Sequence, residues 1–333
     1  MPNSQMAGYC TTGVPHRTEP ETGTRLKISR QTLRQLDGIE LVRIRREEGK
    51  QNLGFSSGPF VICGLPLRRP PSGQLLFERR NGQFVLQVIG HPTYGLPFGQ
   101  DRIVPIFLAT LAVRQQSQTI RFRTAAEMLE TFGMQKGGKQ YRRLVEAFER
   151  VFGATIFFRT DTLLRPAKVI HTARFNFFRE AQIWYNRNRN ELPLSERFEN
   201  TIVLSDEFYS ELMSHPIPTD LDAVRVLHAA PGVLDFFVWL CYRCFTVRDD
   251  EQIPLFGTFG LANQLGSVEY SRPRRFRTKL EEWLRVICAL WPKCPARISG
   301  DGQSLKIHPA TAVAPAHHQS EIGTRFANLS EVR

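Results

Sequence analysis

The sequence has little cysteine, no long apolar run and a shortage of acid. Six cysteines in 333 residues are too few for a disulfide scaffold, and a reducing compartment is the default for such a chain. The strongest apolar stretch, residues 233–245, is interrupted by Asp235 and Arg243. It falls short of the roughly 20 residues that span a bilayer. The first thirty residues are polar and lack the basic, apolar and small-residue order of a secretion signal. No membrane partner is therefore expected, and the cytoplasm is the expected location.

Catalytic signatures are missing too. The run Met134-Gln-Lys-Gly-Gly-Lys-Gln140 lacks the G-x-x-x-x-G-K-S/T spacing of a nucleotide-hydrolysing loop. No His-apolar-His pair with a nearby Tyr suits metal-dependent strand nicking. His171-Thr-Ala-Arg174 followed by Tyr209 imitates the set used by tyrosine strand-transfer enzymes, but it lies in an alternating β run without an upstream arginine partner. Cys241-Tyr-Arg-Cys244 has metal-ligand spacing, with Cys288 and Cys294 downstream. Zinc pairs sit on turns, whereas this pair falls in an apolar helix, where buried thiols are the simpler account. No enzymatic activity, metal or cofactor is expected.

What the chain does have is positive charge. Lys and Arg total 44 against 32 Asp and Glu, a net charge of +12, with an isoelectric point near 9.8. A basic surplus of that size points to a polyanion, most simply double-stranded DNA. At 41% hydrophobic and 23% charged, the composition supports packed cores, and the length suits two domains.

Patterning divides the chain as follows. Residues 1–58 and 310–333, rich in small and polar residues, read as flexible arms. Two β runs, 74–79 and 83–89, flank Asn81-Gly82, a strong hairpin signal. Asp101 can cap a helix through Gln115, with Pro105 in its first turn. A strand over 119–123, a helix over 125–132 stopped by Gly133, a helix over 138–152 and β runs at 154–159 and 168–185 follow. The same order recurs: helix 235–246, strand 253–255, helix 260–265 stopped by Gly266, helix 273–291, and strands 296–299 and 304–307. Helix, strand, helix, helix, hairpin is the order of a winged helix-turn-helix. The expected fold is α+β, with two tandem winged helix-turn-helix domains, 59–200 and 201–309, carrying small antiparallel hairpins.

In each unit the second helix of the turn would enter the major groove. In the first, Tyr141, Leu144, Val145, Phe148, Val151 and Phe152 share one face, and Lys139, Arg142, Arg143 and Arg150 the other. Lys136 and Lys139 flank Gly137-Gly138, where backbone amides and the helix dipole favour phosphate. In the second, Arg272, Arg274, Arg275, Arg277 and Lys279 crowd the helix start with no acid among them. Phe276, Leu280, Trp283, Ile287 and Leu290 form its apolar stripe. A cationic start opposes the helix dipole and repels itself, a conflict that an external anion relieves.

Two segments then carry a resemblance. Tyr94-Gly-Leu-Pro-Phe-Gly-Gln-Asp-Arg-Ile-Val-Pro-Ile-Phe-Leu-Ala-Thr-Leu-Ala-Val113 and Gln140-Tyr-Arg-Arg-Leu-Val-Glu-Ala-Phe-Glu-Arg-Val-Phe-Gly-Ala-Thr-Ile-Phe-Phe158 resemble the plasmid-encoded RepA-type replication initiators. The likeness runs from about residue 59 to 307 and excludes the tails. It implies a protein on plasmid DNA that binds repeated origin sites, helps melt an adjacent AT-rich region and recruits the host initiator and replicative helicase. It also implies a monomer–dimer switch that controls copy number. By resemblance, DNA contact passes to Lys139, Gln140, Arg142 and Arg143; for Lys136, Arg272, Arg274, Arg275, Arg277 and Lys279 it rests on charge alone. A transcriptional repressor with the same modules is the nearest alternative, and a strand-transfer enzyme a remote one.

Overall fold

The computed structural model describes residues 30–81, 84–134, 137–164, 169–183, 199–257, 260–265 and 272–313. Helix α1 (Arg30–Glu47), strand β1 (Leu53–Ser56) and the short α2 (Gly58–Ile62) come first. Strands β2 (Leu76–Asn81) and β3 (Phe84–Ile89) follow, then a 3₁₀ turn, Gly99–Arg102, that runs into α3 (Ile103–Gln115). Next are β4 (Thr119–Phe122), α4 (Ala125–Thr131), α5 (Gly138–Gly153), β5 (Thr155–Leu164), β6 (Val169–Asn176), β7 (Phe178–Gln182) and β8 (Asn200–Leu204). A connector of α6 (Asp206–Ser214), β9 (Ile217–Asp220) and α7 (Leu221–Leu227) leads to α8 (Pro231–Thr246). The chain ends in β10 (Glu251–Pro254), α9 (Leu261–Gln264), α10 (Pro273–Leu290), β11 (Ala296–Ile298) and β12 (Ser304–Ile307).

The fold is α+β with small antiparallel sheets. Their strand orders are β1-β9, β2-β3-β5-β6, β4-β8-β7 and β10-β12-β11. The last two orders match. In each, the strand after a buried helix (α3 or α8) pairs with the last strand of its unit, and that strand pairs with the one before it. Two of the four sheets thus share one strand order.

The partner hairpin in the first unit is not the expected one. The runs at 154–159 and 168–185 were expected to supply it, but β5 and β6 join β2 and β3 in a separate meander. Its counterpart is β7 and β8. The chain crosses from one sheet to the other at Phe177, which is fully buried. Its amide bonds to the Ile156 carbonyl, and its own carbonyl accepts from Ser205. Phe60, Phe208 and Phe178 surround the ring.

Three further expectations change. Residues 30–58 are no arm: β1 pairs with β9, α1 packs on α7 and α10, and Val42 and Phe55 are buried. Residues 310–313 likewise belong to the fold, with Ala312 and Val313 buried and the Ala310 amide bonded to the Cys244 carbonyl. The boundary at 200 falls inside the first unit's own sheet, and one contiguous apolar core runs from α1 through α3 and α8 to β12. Asn81 pairs with Phe84, so it closes the ladder and does not occupy the turn. The remainder of both arms, Gly82, Lys136 and Gly266 lie outside the described residues. Among the described residues no helix is long and apolar enough to cross a membrane.

Candidate nucleic-acid interface

Helix α5 is amphipathic as its periodicity requires. Leu144, Val145, Ala147, Phe148 and Val151 are buried, and Tyr141 and Phe152 pack beside them. On the opposite face Lys139, Gln140, Arg142 and Arg143 are exposed. The first turn holds no acid, and Gly137 at the N-cap offers no side-chain bond. By contrast Thr124, Ser205 and Asp220 cap α4, α6 and α7 with side-chain oxygens. A cap of that kind contributes about 1 kcal/mol, so the bare, cationic end of α5 leaves amide donors available to an anion.

Arg150 departs from the sequence reading. It does not share the solvent face; it forms two bonds to the Asp101 carboxylate, at 2.6 and 2.8 Å, and lies over the Phe98 ring. Burial pulls its guanidinium down, but the Asp101 hydrogen bond and charge outweigh that and raise it. Asp101 accordingly caps no helix by the route expected; its carboxylate takes the Phe98 amide and Arg150.

Helix α10 repeats the design with more charge. Phe276, Leu280, Trp283, Ile287 and Leu290 are buried as one stripe. Arg272, Arg274 and Arg275 are exposed, and Arg277 and Lys279 are half-buried. The N-cap residue Arg272 makes no capping bond, and the first turn again holds no acid. Arg277 lies beside Gly302 in the β11–β12 turn, and Lys279 pairs with Glu282 at 2.5 Å. Arg272, Arg274, Arg275, Thr278, Lys279 and Glu282 line an open groove of about 550 Å³ together with Arg68. Arg68 was missed from sequence. Its signal is the segment Leu65-Pro-Leu-Arg-Arg-Pro-Pro71, in which prolines stiffen the backbone around two adjacent arginines.

Each cation cluster stands at the start of a helix, α5 or α10, whose first turn holds no acid. The structure also places what the sequence left aside. Burial pushes the Cys241 thiol well above its ordinary value and the Cys244 thiol up to about 12. His171 and Arg174 lie on β6 and Tyr209 on α6, where it packs against the core. His228, after α7, is pulled below its ordinary value by burial and by the nearby Arg143 charge, against the pull of the Arg225 carbonyl.

Residues 97–255 match the family model described as plasmid-encoded RepA protein. Over these residues the chain is similar to the RepA type. The match runs from the turn before α3 through β8, the α6–α7 connector and α8 to β10. No curated protein matches the chain. Two crystal structures of domains 2 and 3 of RctB are similar to it, one of them a selenomethionine derivative. The derivative has 14% identity and a TM-score of 0.45, covering 75% of this chain and 97% of that one. The other has 14% identity and a TM-score of 0.44, covering 75% of this chain and 95% of that one.

Proposed function

We propose that this RepA-type protein is a plasmid replication initiator whose two units are winged helices on double-stranded DNA. In this reading α5 and α10 are the recognition helices, and the hairpins β7–β8 and β11–β12 are the wings. The observation that carries it is the repetition of one layout: the same sheet order, each with a buried stripe behind an uncapped, acid-free, cationic helix start. Lys139, Gln140, Arg142 and Arg143 face one groove, and Arg272, Arg274 and Arg275 the next. Arginine suits such positions because its planar fork pairs with guanine O6 and N7 or with phosphate.

The mechanism is binding energy spent on deforming DNA. Bending a site of 20–30 bp costs on the order of 1–6 kcal/mol, which two groove-bound helices offset. Melting of a neighbouring region then draws on those contacts, on supercoiling and on the host initiator and helicase. The protein itself turns over nothing in this scheme. A footprint on the parent plasmid's origin tests the reading, with repeated protected sites expected. Affinity should fall roughly 10³–10⁵-fold between 50 and 200 mM salt if about 6–10 phosphates are neutralised. Protection confined to the protein's own promoter would overturn it in favour of repressor behaviour, and a flat salt response would overturn binding through phosphate contacts.

A further inference from the structure

We propose that Asp101 and Arg102 form a two-way brace that fixes α5 relative to α10 and so sets the spacing between the two DNA patches the protein accepts. The inference rests on the tandem reading above and adds to it the residues that hold the tandem in register.

The two residues are neighbours in the 3₁₀ turn, and their side chains go opposite ways. Asp101 holds the first recognition helix: Nε and Nη2 of Arg150 donate to its two oxygens at 2.6 and 2.8 Å. Arg102 holds the second unit: its Nε and Nη2 donate to the two oxygens of Asp235 on α8, at 2.6 and 3.0 Å. Its remaining donors reach the carbonyls of Gly99 and Leu65, which seats the guanidinium firmly. Asp235 in turn lies on the helix that carries α10. Phe236, one residue on, meets the Trp283 ring, and a Cβ at Gly232 would collide with that ring.

All four charged side chains are 18% exposed or less. Buried pairs of this kind contribute little net stability, but they tolerate few arrangements. Two planar, bidentate pairs back to back resist rotation of either helix about the turn. The leverage is large. From Arg150 to Lys139 the helix runs about 16 Å at 1.5 Å per residue. A tilt of about 10° at the brace would therefore move the reading end by about 3 Å, close to the base-pair rise of about 3.4 Å.

The test uses the full chain and the double variant Arg102→Met/Asp235→Leu, which removes both charges of the pair together, though it also withdraws Asp235 from the buried Arg79 guanidinium. Nitroxide amino acids at Gln140 on α5 and Glu281 on α10 report the interhelix distance by pulsed electron resonance. Unlabelled proteins are then scored on DNA sites whose two patches are moved apart or together by one base pair. The natural protein should give one narrow distance and lose at least about tenfold in affinity on each altered spacing. The double variant should give a broad distance and lose less than about threefold. Should it fail to fold, Arg102→Lys, which keeps the charge but loses the fork, takes its place with the same expectation. The exposed pair Arg121–Glu199 supplies the control, and Arg121→Ala should change neither readout. A folded variant that keeps both the narrow distance and the strict spacing overturns the brace. A broad distance with unchanged spacing overturns its role on DNA. Absence of DNA binding by every protein, the natural one included, overturns the tandem reading itself.

Discussion

Trp283 of α10 lies across Gly232 of α8 so closely that a Cβ at position 232 would stand 2.5 Å from the ring. Helix α10 is thus seated on α8 at a point where only glycine leaves room. Gly232→Ala should cost about 1–3 kcal/mol through overpacking, read as a lower midpoint in urea unfolding. An unchanged midpoint would mean that α10 shifts freely on α8.

The two cation clusters should act on different DNA patches. Arg142→Ala is expected to relax base choice in one patch by about 1–3 kcal/mol if the side chain reads a base edge. Arg274→Ala and Arg275→Ala should act on the other. An arginine that touches only phosphate weakens all sequences alike and lowers the salt slope by about one. Site selection with each variant decides it, and all three shifting the same patch would contradict two reading helices.

Low pH should weaken the fold through His228. In the unfolded chain this imidazole binds its proton near 6.5, and in the fold burial and Arg143 lower that value. Between the folded value and 6.5 the unfolded chain holds more protons, so stability rises with pH across that window. It is lost as pH falls from 6.5 through the folded value. His228→Gln should flatten this slope, and Arg143→Ala should move the His228 midpoint upward in an NMR titration.

Phe177→Ala should be among the costliest single changes, at about 3–5 kcal/mol. The ring is fully buried at the point where the chain passes between two sheets, and two other rings stand 4.9 Å from it. Thermal or chemical unfolding measures the loss, and a cost under about 1 kcal/mol would show that the aromatic cluster recloses.

Purified protein should neither hydrolyse ATP nor nick supercoiled plasmid. Replacement of His171, Arg174 or Tyr209 should remove nothing beyond what misfolding removes. Turnover that follows the protein through purification and disappears with Tyr209→Phe would mark a strand-transfer enzyme.

What was legible in the sequence was local. The stripes of α5 and α10 follow from a 3.6-residue period, and every residue named for the α10 stripe is buried. Strand pairing was less legible because the partners are remote. Thr119 of β4 meets Val203 of β8, and nothing near either residue announces the other. The alternating runs of β5 and β6 had the right position for a wing, and only the sheet order shows that they belong elsewhere. Arg150 looked like its exposed neighbours because sequence period places a residue on a face; it does not say whether Asp101 waits there. Residues 30–58 are poor in strong pattern, and their order comes from β9 and α7, far along the chain.

The pairing of β1 with β9 also bears on how the protein is made. Leu53 bonds opposite Asp220 and Ser56 opposite Ile217, so an early strand depends on one translated much later. At about 5–20 residues per second, that is a wait of roughly 10–30 s on the ribosome. Through that interval β1, which carries Phe55, is an unpaired edge, and an unpaired apolar edge invites association with other chains. Translation that stalls anywhere between β1 and β9 would leave the nascent chain in that state.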